Sequence, residues 1–390
     1  MNINHPELTY IGHTNWRSKN ILFGIKAADR LEHILCLGKT GMGKSHLLVY
    51  MALQDIRNGT AGVAVIDPHG DAAEQIIKQI PVSRKHDLIY LNAGANAPLP
   101  FNPLENRSIE QQNLLASEIV SILRRKWRES WGDNLEFIIR HCILALLECP
   151  KTTLLDIQPF LTNKKFRDAV LKRVNNTGTL NYWINIFNNY SPSQQQSAIA
   201  PVLNKAGSLI ANRAVQKIMG QRTGSISIPD IVENRKILIV NLSKGIIGEQ
   251  AAEILGSMIT SSIQMAVMRK AQLPESKRSL FYAYFDEAHV FISPSFAEML
   301  SECRKYKLGL FLCHQYLDQL TEDTKNAILG NVGTMVTFRL GLKDARVFKD
   351  EFFPVFAVKD FINLPRYYFY IKLLIDGVAS KAFSAISGEP

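Results

Sequence analysis

The chain has 390 residues, 46% of them apolar and 21% charged, with a net charge of +10. That balance, with no low-complexity tract, excludes a disordered chain, and the length suits one large domain with an inserted subdomain. The positive charge favours a polyanionic partner, and five cysteines without a CxxC pair read as buried free thiols rather than a disulfide framework.

The start, "MNINHPELTY", has neither a basic nor a hydrophobic leader region, and no apolar stretch reads as long enough for a bilayer. The expectation is a cytoplasmic protein with no transmembrane segment of its own. "HILCL" (33–37) reads as a buried strand and "KSHLLVYMALQDIRNG" (44–59) as a helix closed by Gly59. "GVAVID" (62–67) follows as a second buried strand, "DAAEQIIKQI" (71–80) as a helix and "DLIYLN" (87–92) as a third strand. Short, fully apolar strands separated by helices predict an α/β fold with a mostly parallel sheet covered on both faces.

Beyond the Pro-punctuated "APLPFNPL" (97–104), residues 105–225 show helical periodicity with almost no β-branched runs, which predicts an inserted all-α subdomain. That span carries 16 Lys and Arg against 9 Asp and Glu, most of the net positive charge; a solvated helical surface has the same composition. Strand signals return at 236–242, 279–291, 308–315, 334–340 and 367–376, with a long helix over 249–270. The predicted division is therefore 1–104 and 226–390 as two parts of one core, with 105–225 inserted.

Between the first strand and helix lies "GKTGMGKS", residues Gly38, Lys39, Thr40, Gly41, Met42, Gly43, Lys44 and Ser45. The spacing matches a phosphate-binding loop: glycines turn backbone N–H groups toward phosphates, Lys44 reaches the β and γ oxygens, and Ser45 offers a hydroxyl to Mg²⁺. "FYAYFDEAH" then supplies Asp286, expected to hold Mg²⁺ through water, and Glu287, expected to act as general base on the attacking water. His289 reads as structural. If the strand "LGLFLCHQ" neighbours the first strand, His314 or Gln315 lies beside the loop; Gln315, able to donate to the γ-phosphate while accepting from water, is preferred. Arg304 and Arg339 are candidates to complete the site from outside by neutralising charge on the γ-phosphate, and each also reads as a surface or core salt-bridge residue.

With these segments placed, the chain resembles the HerA/FtsK superfamily of hexameric DNA-pumping ATPases, within it HerA-like domains and TraG/TraD-type conjugative coupling proteins. The likeness is carried by "FGIKAADRLEHILCLGKTGMGKSHLL", "AVIDPHGD", "PFNPL", "FYAYFDEAHVF" with "CRKYKLGLFLCHQYLDQL", and "NVGTMVTFRLGLKDARVF" continuing to "DFINLPRYYFYIKLLIDGVASKAFSA". The resemblance implies a RecA-like P-loop NTPase core, ATP and Mg²⁺ as cofactors, and a homo-hexamer with DNA as partner. It implies Glu287 as base, Gln315 as γ-phosphate sensor, Arg304 as a finger reaching the adjacent subunit, and Asp67 as an acid near the nucleotide.

Coupling proteins usually carry an N-terminal membrane anchor, which is not expected here; either a partner protein supplies the anchor or the chain pumps DNA in another setting. The leading expectation is an ATP-driven DNA translocase. A type IV secretion ATPase moving protein substrates, and a nucleotide-gated assembly module with negligible turnover, are the competing readings.

Overall fold

A computed structural model of the chain describes residues 8–15, 19–105, 109–224, 226–292, 296 and 300–389. The chain divides into two units: Met1–Leu91 with Ile228–Leu242 and Ile263–Pro390, and Asn92–Ser227 with Ser243–Ser262. The 105–225 span of the sequence reading falls inside the second unit, which also takes in 92–104 and 243–262.

In the first unit, apolar runs of four to seven residues form the strands β3 (Ile34–Leu37), β4 (Gly62–Asp67), β6 (Ile237–Asn241), β7 (Phe281–Phe285), β8 (Leu308–His314) and β9 (Thr334–Thr337). Every residue in these six is buried, as expected of strands covered on both faces. Adding β1 (Leu8–Thr14), β2 (Leu22–Lys26), β5 (Leu88–Asn92), β10 (Tyr368–Lys372) and β13 (Phe383–Ser387) completes a sheet ordered β2-β1-β13-β10-β9-β3-β8-β7-β4-β6-β5. A separate ribbon pairs β11 (Leu374–Ile375) with β12 (Val378–Ala379). The middle is parallel, and β10, β13, β1 and β2 extend it antiparallel on one side.

Register decides where chemistry can gather. Leu37 of β3 pairs with His314 of β8 and Thr337 of β9, while Phe285 of β7 pairs with Leu312 of β8 and Ile66 of β4. The carboxyl ends of β3, β8, β7 and β4 therefore stand side by side, the edge where open α/β sheets bind ligands. The helix Lys44–Asn58 starts there, buries Leu47, Leu48, Met51 and Ile56 against the sheet, and stops at Gly59 with φ 68°.

A buried ionic cluster joins this helix to β7. Arg30 Nη1 donates to both oxygens of Asp55 at 2.7 and 2.8 Å, Thr9 Oγ1 donates to Asp55 at 2.9 Å, and Tyr284 of β7 donates its hydroxyl to the same carboxylate. The Arg30 guanidinium also lies 3.5 Å from the Tyr282 ring centroid. The strand that carries Asp286 is thus tied to the helix that follows the phosphate loop.

The strands expected over 279–291 and 334–340 end early, at Phe285 and Thr337: Asp286 and then Glu287, whose backbone is left-handed, follow the first, and buried Phe338 follows the second. No reading assigned β1, β2 or β13. The expectation that no stretch is long enough for a bilayer is corrected: helix Glu249–Gln272 meets the length and hydropathy of a span, but its apolar residues are mostly buried within the protein. Four cysteines are buried free thiols, and Cys149 is partly exposed.

Among the described residues of the second unit between 109 and 224 there are helices and no strands. Helices Asp133–Glu148 and Pro192–Ile210 pack with shorter ones around an aromatic centre, where Trp183 meets Phe160 and Phe187 at 4.9 Å between ring centroids.

Candidate functional site

The loop Gly38–Gly43 leaves β3 and enters the helix at Lys44. Its backbone is held by the end of β8 and by residues just beyond β9 and just before β10: Gly38 N donates to His314 O at 3.2 Å, Lys39 N donates to Arg339 O at 2.9 Å, and Met42 O accepts from Tyr367 N at 2.8 Å. Gly43 has φ 124°, and a Cβ there would stand 2.9 Å from the Phe338 ring and 3.0 Å from the Tyr367 ring, so only glycine fits. Lys44 is buried, its Nζ donating to Gly38 O at 2.6 Å and Lys39 O at 3.1 Å.

Ser45 Oγ donates to Asp286 Oδ2 at 2.9 Å. Burial, and then the Asp67 carboxylate, push Asp286 up to a pKa of about 6, while Ser45 and Lys44 act in the opposite direction. A hydroxyl and a carboxylate so placed are hard oxygen donors suited to Mg²⁺, which keeps waters and binds with substrate phosphates. Among the described residues no group of three or more His, Cys, Asp or Glu could hold a metal unaided. A cation here would complete its shell from phosphate and water.

Glu287 follows in the left-handed region, φ 50° and ψ 54°, a strained state for a residue with a Cβ and one that gathers at functional sites. Its Oε1 accepts from Gln315 Nε2 at 2.6 Å and stands 3.1 Å from His69 Nε2. A cavity of about 550 Å³ opens beside Gln315, lined by Lys39, Thr40, Tyr316, Leu342 and Asp344 among others, a size suited to a nucleotide. The condition on Gln315 is met, since β3 and β8 are neighbours. His314, the alternative, is fully buried with its pKa lowered to about 3, chiefly by burial. His289 Nε2 stands 3.1 Å from Gln319 Nε2, in contact with the loop after β8 rather than with the cavity.

Asp67 is fully buried at the end of β4, where Oδ1 accepts from His69 N at 2.8 Å and Oδ2 from Ala73 N at 3.0 Å. It fastens the turn between β4 and the next helix. Arg339 donates its Nε to Leu364 O at 2.6 Å and serves the loop through its carbonyl. Arg304 is set apart from this group: it precedes β8, whereas Gln315 follows it, and it pairs with Glu32 while 65% exposed. The sequence reading passed over His69, although its string "DPHGD" was in view.

Residues 10–263 match the sequence family described as Helicase HerA, central domain. No curated protein matches the chain. Among solved structures it is similar to the bacterial conjugative coupling protein TrwBdeltaN70, with a TM-score of 0.66 and 17% identity over 94% of this chain and 86% of that one. It is likewise similar to the plasmid coupling protein TrwB in complex with ADP and Mg²⁺, at a TM-score of 0.65 and 16% identity over 97% and 89% of the two chains. VirB4 of Thermoanaerobacter pseudethanolicus aligns at a TM-score of 0.67 and 14% identity over 100% and 98%.

Proposed function

The chain belongs to the family of the HerA helicase central domain, and from that premise we propose that it hydrolyses ATP in a homo-hexameric ring and drives DNA through the ring. The observation that carries this reading is the convergence of Ser45 on Asp286 and of Gln315 on Glu287 at the carboxyl edge of one sheet. The first pair joins a loop able to hold phosphates to a carboxylate able to hold Mg²⁺ waters. The second joins a carboxylate able to take a proton from water to an amide able to report the γ-phosphate.

In this reading Lys44 binds the β and γ oxygens, Asp67 fixes the turn beside the site, and Arg304 reaches the nucleotide of the adjacent subunit. Arg339 supports the loop through its carbonyl. Mg²⁺, when bound, neutralises charge on the phosphates. The net charge of +10, concentrated in the span 105–225, supports tracking of a phosphate backbone without a base code.

Conjugative transfer is the setting suggested by the fold shared with the coupling protein TrwB. A membrane or secretion-complex protein would recruit the ring from the cytoplasm. A second reading, a type IV secretion ATPase that moves protein substrates, is favoured by the end-to-end fold likeness to VirB4.

ATP turnover measured at low salt, with and without single- and double-stranded DNA, separates the two. Stimulation by DNA is expected; turnover indifferent to both forms would sink the translocase reading. Glu287→Gln is expected to abolish steady hydrolysis while leaving ATP binding intact.

A further inference from the structure

The turn Pro68–Gly70 is fixed by one buried carboxylate, since Asp67 accepts from the backbone of His69 within the turn and of Ala73 in the helix that follows it. From this turn the His69 side chain, 43% exposed, brings Nε2 within 3.1 Å of Glu287 Oε1, whose own side chain is 10% exposed. The same oxygen accepts from Gln315 at 2.6 Å. Segments following three neighbouring strands, β4, β7 and β8, thus meet at one carboxylate oxygen. A carboxylate at neutral pH only accepts, so the contact with His69 has the proton on Nε2.

We infer that His69 is a positioning residue for hydrolysis, holding the Glu287 carboxylate in its working orientation independently of the nucleotide. The inference rests on the proposed role of Glu287 as general base. The two donors on Oε1 differ in kind. Gln315 lines the cavity and has two amide hydrogens, one on Glu287 and one to give to a γ-phosphate, so its position answers to the nucleotide. His69 is anchored through Asp67 to β4 and its helix, away from the cavity lining.

A glutamate has several rotatable bonds, and general-base chemistry needs its oxygen at hydrogen-bond distance from the attacking water. An anchored donor restricts that freedom before nucleotide arrives, and small misplacements cost large factors in rate. An incidental surface pair would leave the rate unchanged when removed.

The test measures steady-state ATP turnover of the full chain with excess Mg²⁺ for His69→Ala, His69→Asn, His69→Gln and Glu287→Gln. Affinity for a fluorescent non-hydrolysable ATP analogue and Tm are measured alongside. His69→Ala is expected to lower kcat about tenfold or more, with KM, analogue affinity and Tm unchanged. His69→Gln, whose amide nitrogen reaches as far as Nε2, should recover most of the rate, and the shorter His69→Asn should not. Turnover of His69→Ala at or above the wild-type rate, beside an inert Glu287→Gln, would overturn the inference alone. So would a loss accompanied by lower Tm or analogue affinity that His69→Gln fails to recover. Glu287→Gln turning over as fast as wild type would instead overturn the assignment of the base, and the inference with it.

Discussion

Ser45 Oγ and Asp286 Oδ2 lie 2.9 Å apart although 241 residues separate them in the chain. The contact joins the first turn of the helix after the phosphate loop to the end of β7, and its two oxygens are those a loop-bound Mg²⁺ would use. Ser45→Ala and Asp286→Asn are each expected to raise the Kd for an ATP analogue about tenfold in Mg²⁺. Neither should change it further when EDTA is added. Retention of full Mg²⁺ dependence in both variants, by fluorescence titration, would remove the cation from this pair.

Lys44 spends its ammonium on two loop carbonyls, Gly38 O at 2.6 Å and Lys39 O at 3.1 Å, and is buried there. A phosphate held by the loop would meet the same charge, so Lys44→Ala is expected to remove a charge-assisted contact and lower ATP affinity roughly 10- to 100-fold. Equilibrium binding of labelled ATP measures this. Wild-type affinity in the variant would mean that the loop does not hold phosphate.

The parts of the site that the sequence made legible are those announced by a local pattern. "ILCL" before "GKTGMGKS" fixes a strand, a loop and a helix within 25 residues, and "FYAYF" before Asp286 marks the end of a buried strand. Gln315 was legible only conditionally, because the adjacency of β3 and β8 is a tertiary fact. His69 shows why the rest was not: it pairs with Glu287 only because β4 lies beside β7, and a histidine in a turn carries no signal of that neighbour. The antiparallel extension was hidden for a similar reason. β1 pairs with β13 across almost the whole chain, Gly12 opposite Ser387, and "LTYIGHT" mixes polar and apolar residues without clear alternation.

Arg304 and Gln315 sit at opposite ends of β8, whose seven residues at about 3.3 Å each put roughly 20 Å between them. Arg304 therefore does not complete the site of its own chain, and the pairing of this exposed side chain with half-buried Glu32 contributes less than about 1 kcal/mol to stability. Arg304→Ala is expected to leave Tm within about 2 °C of wild type. Turnover should fall by about two orders of magnitude or more if the residue acts on a neighbour's phosphate. Unchanged turnover in assembled protein would exclude that role.

Asp55 accepts from Arg30, Thr9 and Tyr284 with 3% of its surface exposed. Asp55→Ala leaves the buried Arg30 guanidinium uncompensated and should destabilise the chain by about 3 to 5 kcal/mol. The pair Arg30→Met with Asp55→Leu should recover most of that loss, because neither charge is then stranded. Chemical denaturation of the three proteins tests the order, and a double variant weaker than Asp55→Ala would contradict it.

His33 is set in a pocket that accepts one neutral tautomer. Nδ1 accepts from Leu310 N at 3.3 Å, leaving the ring proton on Nε2 to donate to Leu300 O at 3.0 Å. Protonation would put a second hydrogen on Nδ1, against the Leu310 N–H. Burial lowers the pKa from 6.5 to about 4, with the Leu300 carbonyl acting weakly in the other direction. Between those values the unfolded chain binds more protons than the folded one, so stability is lost as pH falls below about 6.5 and the loss saturates below about 4. The full effect is on the order of 3 kcal/mol. His33→Asn keeps a residue that tolerates the φ of 61° at this position and does not titrate there. Its Tm relative to wild type should therefore improve steadily from pH 6.5 to pH 4, and a gap independent of pH across that window would show that His33 is not the titrating group.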